Sequence, residues 1–404
     1  MPLIKTWRWF GPDDPVKLDE IRQIGVEGIV TALHHIPNGE VWPVDEIQKT
    51  KELIESHGMS WTVVESLPVS EGIKTGDQDR ERLIENYKSS LENLGKCGID
   101  TVVYNFMPVI DWVRTDTHFK LPEGTEGMLF DYPTFAAFDI YILERPGAEN
   151  DYPEPLLKLA KDRYEKMSDE EAEALAYNII VLTQGFIDGT VGDVQNYKKV
   201  FLDHIARYKN ISEEKLRENL SYFLKEIMPV ADEYNIKMCA HPDDPPFPVL
   251  GLPRIISTLE DLKWLTQQYP SINNGITFCS GSLSARKDND LPAMVRSFAP
   301  HIHFAHLRTT RITENGSFYE EKHLSGDVDM YSILVELLKE QKRRLQNGRK
   351  DYRIPFRPDH GLKLLDDYHR EANPGYPLIG RLKGLAEISG LEWGIERGLM
   401  DEGG

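Results

Sequence analysis

Eight short runs rich in β-branched and aromatic residues recur along the chain, and their spacing constrains the fold more than any other feature. They cover 4–10, 28–34, 60–65 and 101–107, and begin again at Ile236, Ile276, Ile302 and Arg353. The stretches between them carry helix signals. Leu220, Leu224, Ile227 and Ala231 fall at a spacing that makes one apolar face. Ser257-Thr-Leu-Glu260 reads as a capping box, in which hydroxyl and carboxylate satisfy reciprocal backbone donors. Strands alternating with helices imply a parallel sheet, and eight repeats point to closure into a (β/α)8 TIM barrel rather than an open doubly wound sheet. No Gly-x-Gly-x-x-Gly follows the first run, so a dinucleotide-binding fold has no support.

The 404 residues suffice for one large barrel, and the expectation is a single catalytic domain over 1–404 with an insertion. Between the fourth and fifth runs the chain is far longer than one crossover helix requires, which places that insertion at about 108–190, after strand 4. It holds an irregular aromatic part (Phe130-Asp-Tyr-Pro-Thr-Phe135), a Pro-rich turn (Tyr152-Pro-Glu-Pro155) and a helix opened by the capping box Ser168-Asp-Glu-Glu171. A lid over the barrel mouth and a dimer contact are equal readings of it.

Apolar content of 40% and charged content of 28% are ordinary for a water-soluble enzyme. There is no apolar run of membrane-helix length and no signal-peptide architecture at the start, so a cytoplasmic location without membrane partners is expected. Three cysteines, Cys97, Cys239 and Cys279, are too few for a disulfide framework and fit a reducing compartment. A net charge of −19 argues against nucleic acid, whose phosphates need clustered Lys and Arg. It leaves room for a small anionic substrate, because a metal and a few arginines set the local field.

The chemistry-bearing residues collect at strand ends. Asn235-Ile-Lys-Met-Cys-Ala-His241, Gly275-Ile-Thr-Phe-Cys279 and His301-Ile-His-Phe-Ala-His306 each run through a strand-like segment and finish on a metal-type ligand. The run 352–356 leads into Arg357-Pro-Asp-His-Gly361, which sets the carboxylate of Asp359 beside the imidazole of His360. In a barrel the C-terminal strand ends meet at one mouth, so His241, Cys279, His306 and Asp359 would surround one cation. Two imidazoles, a thiolate and a carboxylate form a borderline set suited to Zn²⁺, Fe²⁺, Co²⁺ or, less comfortably, Mn²⁺. His303 competes with His306, but strand alternation sends the two to opposite sides and His306 lies nearer the strand end. After His241 the rigid acidic loop Pro242-Asp-Asp-Pro-Pro246 offers Asp243 or Asp244 as supporting partners.

Taken together, Thr6-Trp-Arg-Trp-Phe-Gly-Pro12, Val64-Glu-Ser-Leu-Pro-Val69, Tyr104-Asn-Phe-Met107, Cys239-Ala-His-Pro-Asp-Asp-Pro-Pro246, His306-Leu-Arg308, Arg357-Pro-Asp-His-Gly361 and Pro374-Gly-Tyr376 span nearly the whole chain. By these segments the chain resembles the mannonate dehydratase family of the xylose-isomerase-like barrel superfamily. The resemblance implies a hydro-lyase that converts D-mannonate to 2-keto-3-deoxy-D-gluconate in hexuronate (glucuronate) breakdown, with Mn²⁺ or Fe²⁺ as cation. It implies His241, Cys279, His306 and Asp359 as metal ligands and His360 with Tyr376 as the catalytic pair. The tract 362–373 between that pair departs from the shorter family forms.

The residue types fit this chemistry on their own terms. Dehydrating a 2,3-dihydroxy acid removes the C2 proton beside a carboxylate and expels the C3 hydroxyl. A cation stabilises the enediolate, and a phenol or imidazole moves protons. Arg8 and Arg308 are candidates to grip the substrate carboxylate, and Asn105 and Glu65 to meet sugar hydroxyls. A homo-oligomer, in the form of a dimer, is expected. Two alternatives carry different chemistry: a metal-dependent sugar isomerase or epimerase of the same barrel type, whose sites are richer in carboxylates, and a non-catalytic sugar-acid binder closed by structural zinc.

Overall fold

The computed structural model describes residues 1–183 and 196–401. Among them are twelve strands: β1 (Ile4–Arg8), β2 (Gly28–Thr31), β3 (Ser60–Glu65), β4 (Thr101–Tyr104), β5 (Asp116–Lys120), β6 (Glu126–Phe130), β7 (Lys237–Ala240), β8 (Asn274–Cys279), β9 (Ile302–His306), β10 (Thr309–Ile312), β11 (Phe318–Glu321) and β12 (Pro355–Arg357). Eight of these, in the order β1-β12-β9-β8-β7-β4-β3-β2, close into a parallel barrel, and they coincide with the eight sequence runs. Strands β2, β4, β7, β8 and β9 are buried along their whole length, as expected when both faces of a parallel sheet are covered.

Alternation sorts the side chains. Val30, Val63, Val103, Cys239 and Phe304 pack together inside the barrel, while Ile29, Val64, Val102, Met238 and Ile276 join the larger core under the helices. Helix Glu213–Glu233 shows the outer packing: Leu220, Leu224, Ile227 and Ala231 are all fully buried, and each large aliphatic contributes roughly 1.5–3 kcal/mol. Alternation also separates the two histidines of β9. The His306 ring lies edge-on to Phe304 at 4.8 Å, on the interior side, whereas His303 is bonded to the Ile272 carbonyl at 2.7 Å. Gly275 makes room for His303, since a Cβ there would stand 2.2 Å from that ring.

The capping box Ser168/Glu171 forms as read, with bonds of 2.9 and 3.2 Å. The box read at Ser257/Glu260 forms one residue later, between Thr258 and Asp261. The Ser257 hydroxyl is donated instead to Asp243 Oδ2 at 2.7 Å, so tertiary contact decides between adjacent hydroxyls.

The long segment after β4 is more regular than its sequence suggested. Its hairpin β5–β6 is joined by β10–β11 from beyond β9, giving a four-stranded antiparallel sheet in the order β10-β11-β6-β5. The aromatic part read as irregular is the end of β6 followed by helix Tyr132–Ala137, which Asp131 caps. Phe130 stacks on Phe318 of β11 at 5.4 Å and packs against Phe135 at 5.2 Å. The expected C-terminal limit of the insertion, near 190, lies outside the described residues. No helix among the described residues is long and apolar enough to cross a membrane.

Candidate metal centre and active site

His241 directly follows β7, Cys279 ends β8, His306 ends β9, and Asp359 lies two residues past β12. Ligand atoms of His241, Cys279 and His306 all lie within 4.8 Å of one another. His241 Nδ1 donates to the Pro242 carbonyl at 2.7 Å, which leaves Nε2 with its lone pair facing His306 Nδ1 at 3.2 Å. His306 Nε2 faces Glu65 Oε2 at 3.4 Å, an ion-pair distance without the alignment of a hydrogen bond. A proton on that nitrogen, toward the carboxylate, turns both inner nitrogens into lone pairs. Two nitrogens each about 2.1 Å from one metal stand about 3.0–3.4 Å apart, so the pair suits a shared cation. Cys279 Sγ accepts from the Ser282 hydroxyl at 3.0 Å and lies 3.7 Å from Asp359 Oδ2.

Asp359 stands at the edge of this triangle, 3.9 Å from His306 Nδ1. Its backbone is left-handed, φ +55°, a region aspartate tolerates better than most residues. Arg308 Nε reaches Oδ2 at 2.5 Å, and Arg357 bonds the other oxygen. Burial opposes its charge, but Arg357, His360, Arg308 and His306 hold the carboxyl well below the usual range.

A wider ring of buried charges surrounds the centre. Arg357 clamps Glu65 through two bonds of 2.7 and 3.0 Å. Burial raises the Glu65 carboxyl, and Arg357, His306 and Arg8 more than reverse that. The Arg308 fork is engaged throughout by protein: Asp359, both oxygens of Glu320 at 2.6 and 2.8 Å, Asp244 at 2.6 Å and Ser282 at 3.2 Å. Its guanidinium is thus engaged by four protein side chains, while Arg308 also lines the adjoining cavity. Arg114, from the segment between β4 and β5, bridges Asp244 at 2.8 Å and Glu320 at 2.9 Å.

Above the centre opens a cavity of about 270 Å³. Arg8, Glu65, Asn105, His241, Arg308, Asp359, His360 and Tyr376 all line it, so the sequence-derived candidates share one space, with Cys279 and His306 buried beside it. His360 is 7% exposed; its Nδ1 meets Glu320 Oε1 at 3.2 Å, and its ring packs on Trp112 at 5.6 Å and perpendicular to Tyr376 at 5.1 Å. Burial raises the Tyr376 phenol above its ordinary value, with Arg357 opposing. Arg8 bonds the Glu65 carbonyl and lies over the Phe10 ring at 4.6 Å. Asn105 donates to Asp111 Oδ2 at 3.0 Å. Sequence reasoning did not find Glu320, Arg114, Trp112 or Asp111, none of which ends a barrel strand. Of these, Arg114 carried the only usable signal, as an arginine in an apolar setting.

A closed parallel barrel with a His/Cys/His cluster at its C-terminal mouth, beside a cavity lined by His360 and Tyr376, defines a (β/α)8-barrel enzyme with a candidate metal site. Residues 3–402 match the family described as D-mannonate dehydratase (UxuA), and the chain belongs to that family of hydro-lyases. It is 50% identical over 394 residues to a mannonate dehydratase of Chromohalobacter salexigens, covering 97% of this chain and 98% of the relative. The crystal structure of mannonate dehydratase from Streptococcus suis serotype2 superposes with a TM-score of 0.75 at 34% identity, covering 98% of this chain and 95% of that one. A D-tagatose 3-epimerase-like protein, 11% identical with a TM-score of 0.51 and coverage of 98% and 100%, shares the fold alone.

Proposed function

We propose that the chain dehydrates D-mannonate to 2-keto-3-deoxy-D-gluconate, a step of hexuronate (glucuronate) breakdown, acting as one catalytic unit over 1–404 with 108–190 as an insertion in it. The observation that carries this reading is the meeting of His241, Cys279 and His306 within 4.8 Å beside a cavity that the pair His360 and Tyr376 also lines. A dication, Mn²⁺ or Fe²⁺, held by His241, Cys279, His306 and Asp359 would supply Lewis-acid stabilisation to charge developing on substrate oxygens near C2.

The protein's own groups do the rest. His360 and Tyr376 act jointly as acid and base: one takes the C2 proton, and the other delivers a proton to the C3 hydroxyl as its C–O bond breaks and water leaves. The resulting enol takes a proton at C3 as its oxygen loses one, giving the 2-keto acid. Burial keeps the Tyr376 phenol protonated at neutral pH, the state a proton donor needs. Arg8 is assigned to the substrate carboxylate and Asn105, with Asp111, to a hydroxyl. Glu65 and Arg308 touch the cavity, but their charged ends are held by Arg357 and by Asp359, Glu320 and Asp244.

The test is a 2-keto acid assay on D-mannonate with protein loaded in turn with Mn²⁺, Fe²⁺ and Co²⁺, alongside metal analysis of protein purified without added metal. Keto acid with Mn²⁺ or Fe²⁺ is expected. Its absence with all three cations would sink the reading.

A further inference from the structure

The reading above gives His360 a proton to move, and the structure supplies a partner for its far nitrogen from outside the barrel. Glu320 lies on β11, the middle of the second sheet, and its Oε1 stands 3.2 Å from His360 Nδ1. We propose that Glu320 is a positioning residue for His360: it accepts the Nδ1 proton, fixes the ring's tautomer and plane, and leaves Nε2 as the nitrogen that exchanges a proton with substrate. The inference rests on His360 being an acid/base residue.

Three observations converge on it. Glu320 is itself immobilised, because Arg308 holds both its oxygens at 2.6 and 2.8 Å and Arg114 reaches Oε1 at 2.9 Å. Burial would neutralise the carboxyl, but Arg308, Arg114 and His360 pull it far below the usual range, so the acceptor is an anion. The imidazole is also flanked by Trp112 at 5.6 Å and Tyr376 at 5.1 Å, and its Nε2 lies 3.9 Å from Asp359 Oδ1, beyond hydrogen-bond reach, whereas Glu320 is within reach of Nδ1. A base oriented by a buried carboxylate on its second nitrogen is the general form of an acid/base pair with a third, orienting group.

This assigns a catalytic purpose to the second sheet. Trp112 and Arg114 come from the segment after β4, and Glu320 from the segment after β9; the pairing of Phe130 with Phe318 and Leu129 with Tyr319 locks the two together. The barrel alone would present His360 without its orienting anion.

Two conservative substitutions separate positioning from charge balance. Glu320→Gln keeps an acceptor oxygen within reach of Nδ1 but removes the charge that faces the arginines. Glu320→Asp keeps the charge, which the flexible arginines can follow, but withdraws the acceptor by one methylene from a ring fixed by its neighbours. Positioning predicts that kcat falls about 10- to 100-fold in the Asp variant and less in the Gln variant, with KM within about twofold and bound metal at the wild-type level. With ¹⁵N-labelled histidine in the Zn²⁺-loaded protein, the resonances that His360→Asn removes should report the Nδ1–H tautomer in wild type and Gln, and a mixture in Asp. The inference is overturned if Asp is as active as Gln or more so, if metal content falls in step with kcat, or if the tautomer is the same in all three. A His360→Asn variant that still turns over would instead refute the acid/base role of His360 on which the inference stands.

Discussion

The ends of the barrel strands and the four-stranded sheet beside them contribute to the same cavity by different physical routes. At the strand ends, His241, Cys279, His306 and Asp359 are brought together by the closure of β7, β8, β9 and β12, with neighbours in register such as Cys279 with His306. Glu320 of the second sheet and its partner Arg114, just before β5, are brought together where two segments from different barrel loops pair with each other. The first region collects atoms that would hold a cation. The second flanks His360, the proposed acid/base residue, and sets the Glu320 carboxylate against it. Ligation can thus follow from strand geometry, while orientation depends on contacts remote in sequence.

If the two regions divide the work in this way, breaking the first should cost the metal itself. His241→Ala is expected to lose bound metal, measured by elemental analysis, and to lose turnover with it while retaining its circular dichroism spectrum. Breaking the junction should cost stability. Arg308→Met leaves Asp244, Glu320 and Asp359 buried with a missing counter-charge, and a loss of about 3–5 kcal/mol is expected in urea unfolding. An unchanged midpoint would mean the network is slack. Removing only the phenol leaves both regions standing: Tyr376→Phe should lower kcat about 100-fold with wild-type metal content and melting temperature.

The mildest probe is acid. Burial raises the Asp244 carboxyl, but Arg114 and Arg308 bring it down from 3.8 to about 2. A depressed folded-state value means that its stabilising contribution is complete above pH 3.8 and is lost as pH falls through about 2. The whole contribution is about 2 kcal/mol. Between pH 5 and pH 2 the stability of wild type should therefore fall more steeply than that of Asp244→Asn, and equal slopes would remove Asp244 from the link.

What could be read from the sequence follows the same division. Strand runs and their last residues are local features, so the eight barrel strands could be read from recurring apolar runs, and His306 preferred to His303 from alternation together with its place at the strand end. Glu320 sits on a strand whose partner is β6, and nothing near it in sequence marks it as a neighbour of His360. Arg308 was visible as an arginine beside a ligand, but its engagement with four protein groups follows from how distant loops fold over it. The capping box read at 257–260 is displaced by one residue for a similar reason, because Asp243 draws the Ser257 hydroxyl away. Local pattern sets which residues reach the mouth, and long-range packing sets which of their donors remain free.

The pairing of β6 with β11 has a kinetic consequence. The loop it closes contains β7, β8, β9 and β10, so pairing is costly in loop entropy until this part of the barrel has formed. Contacts so distant along the chain form late, because the entropy of closing the loop must be overcome before they give anything in return. During refolding, helical signal and the strand-end cluster should come first. Competence to turn over substrate should follow, once β12 has closed the barrel on β1 and β11 has brought Glu320 to His360.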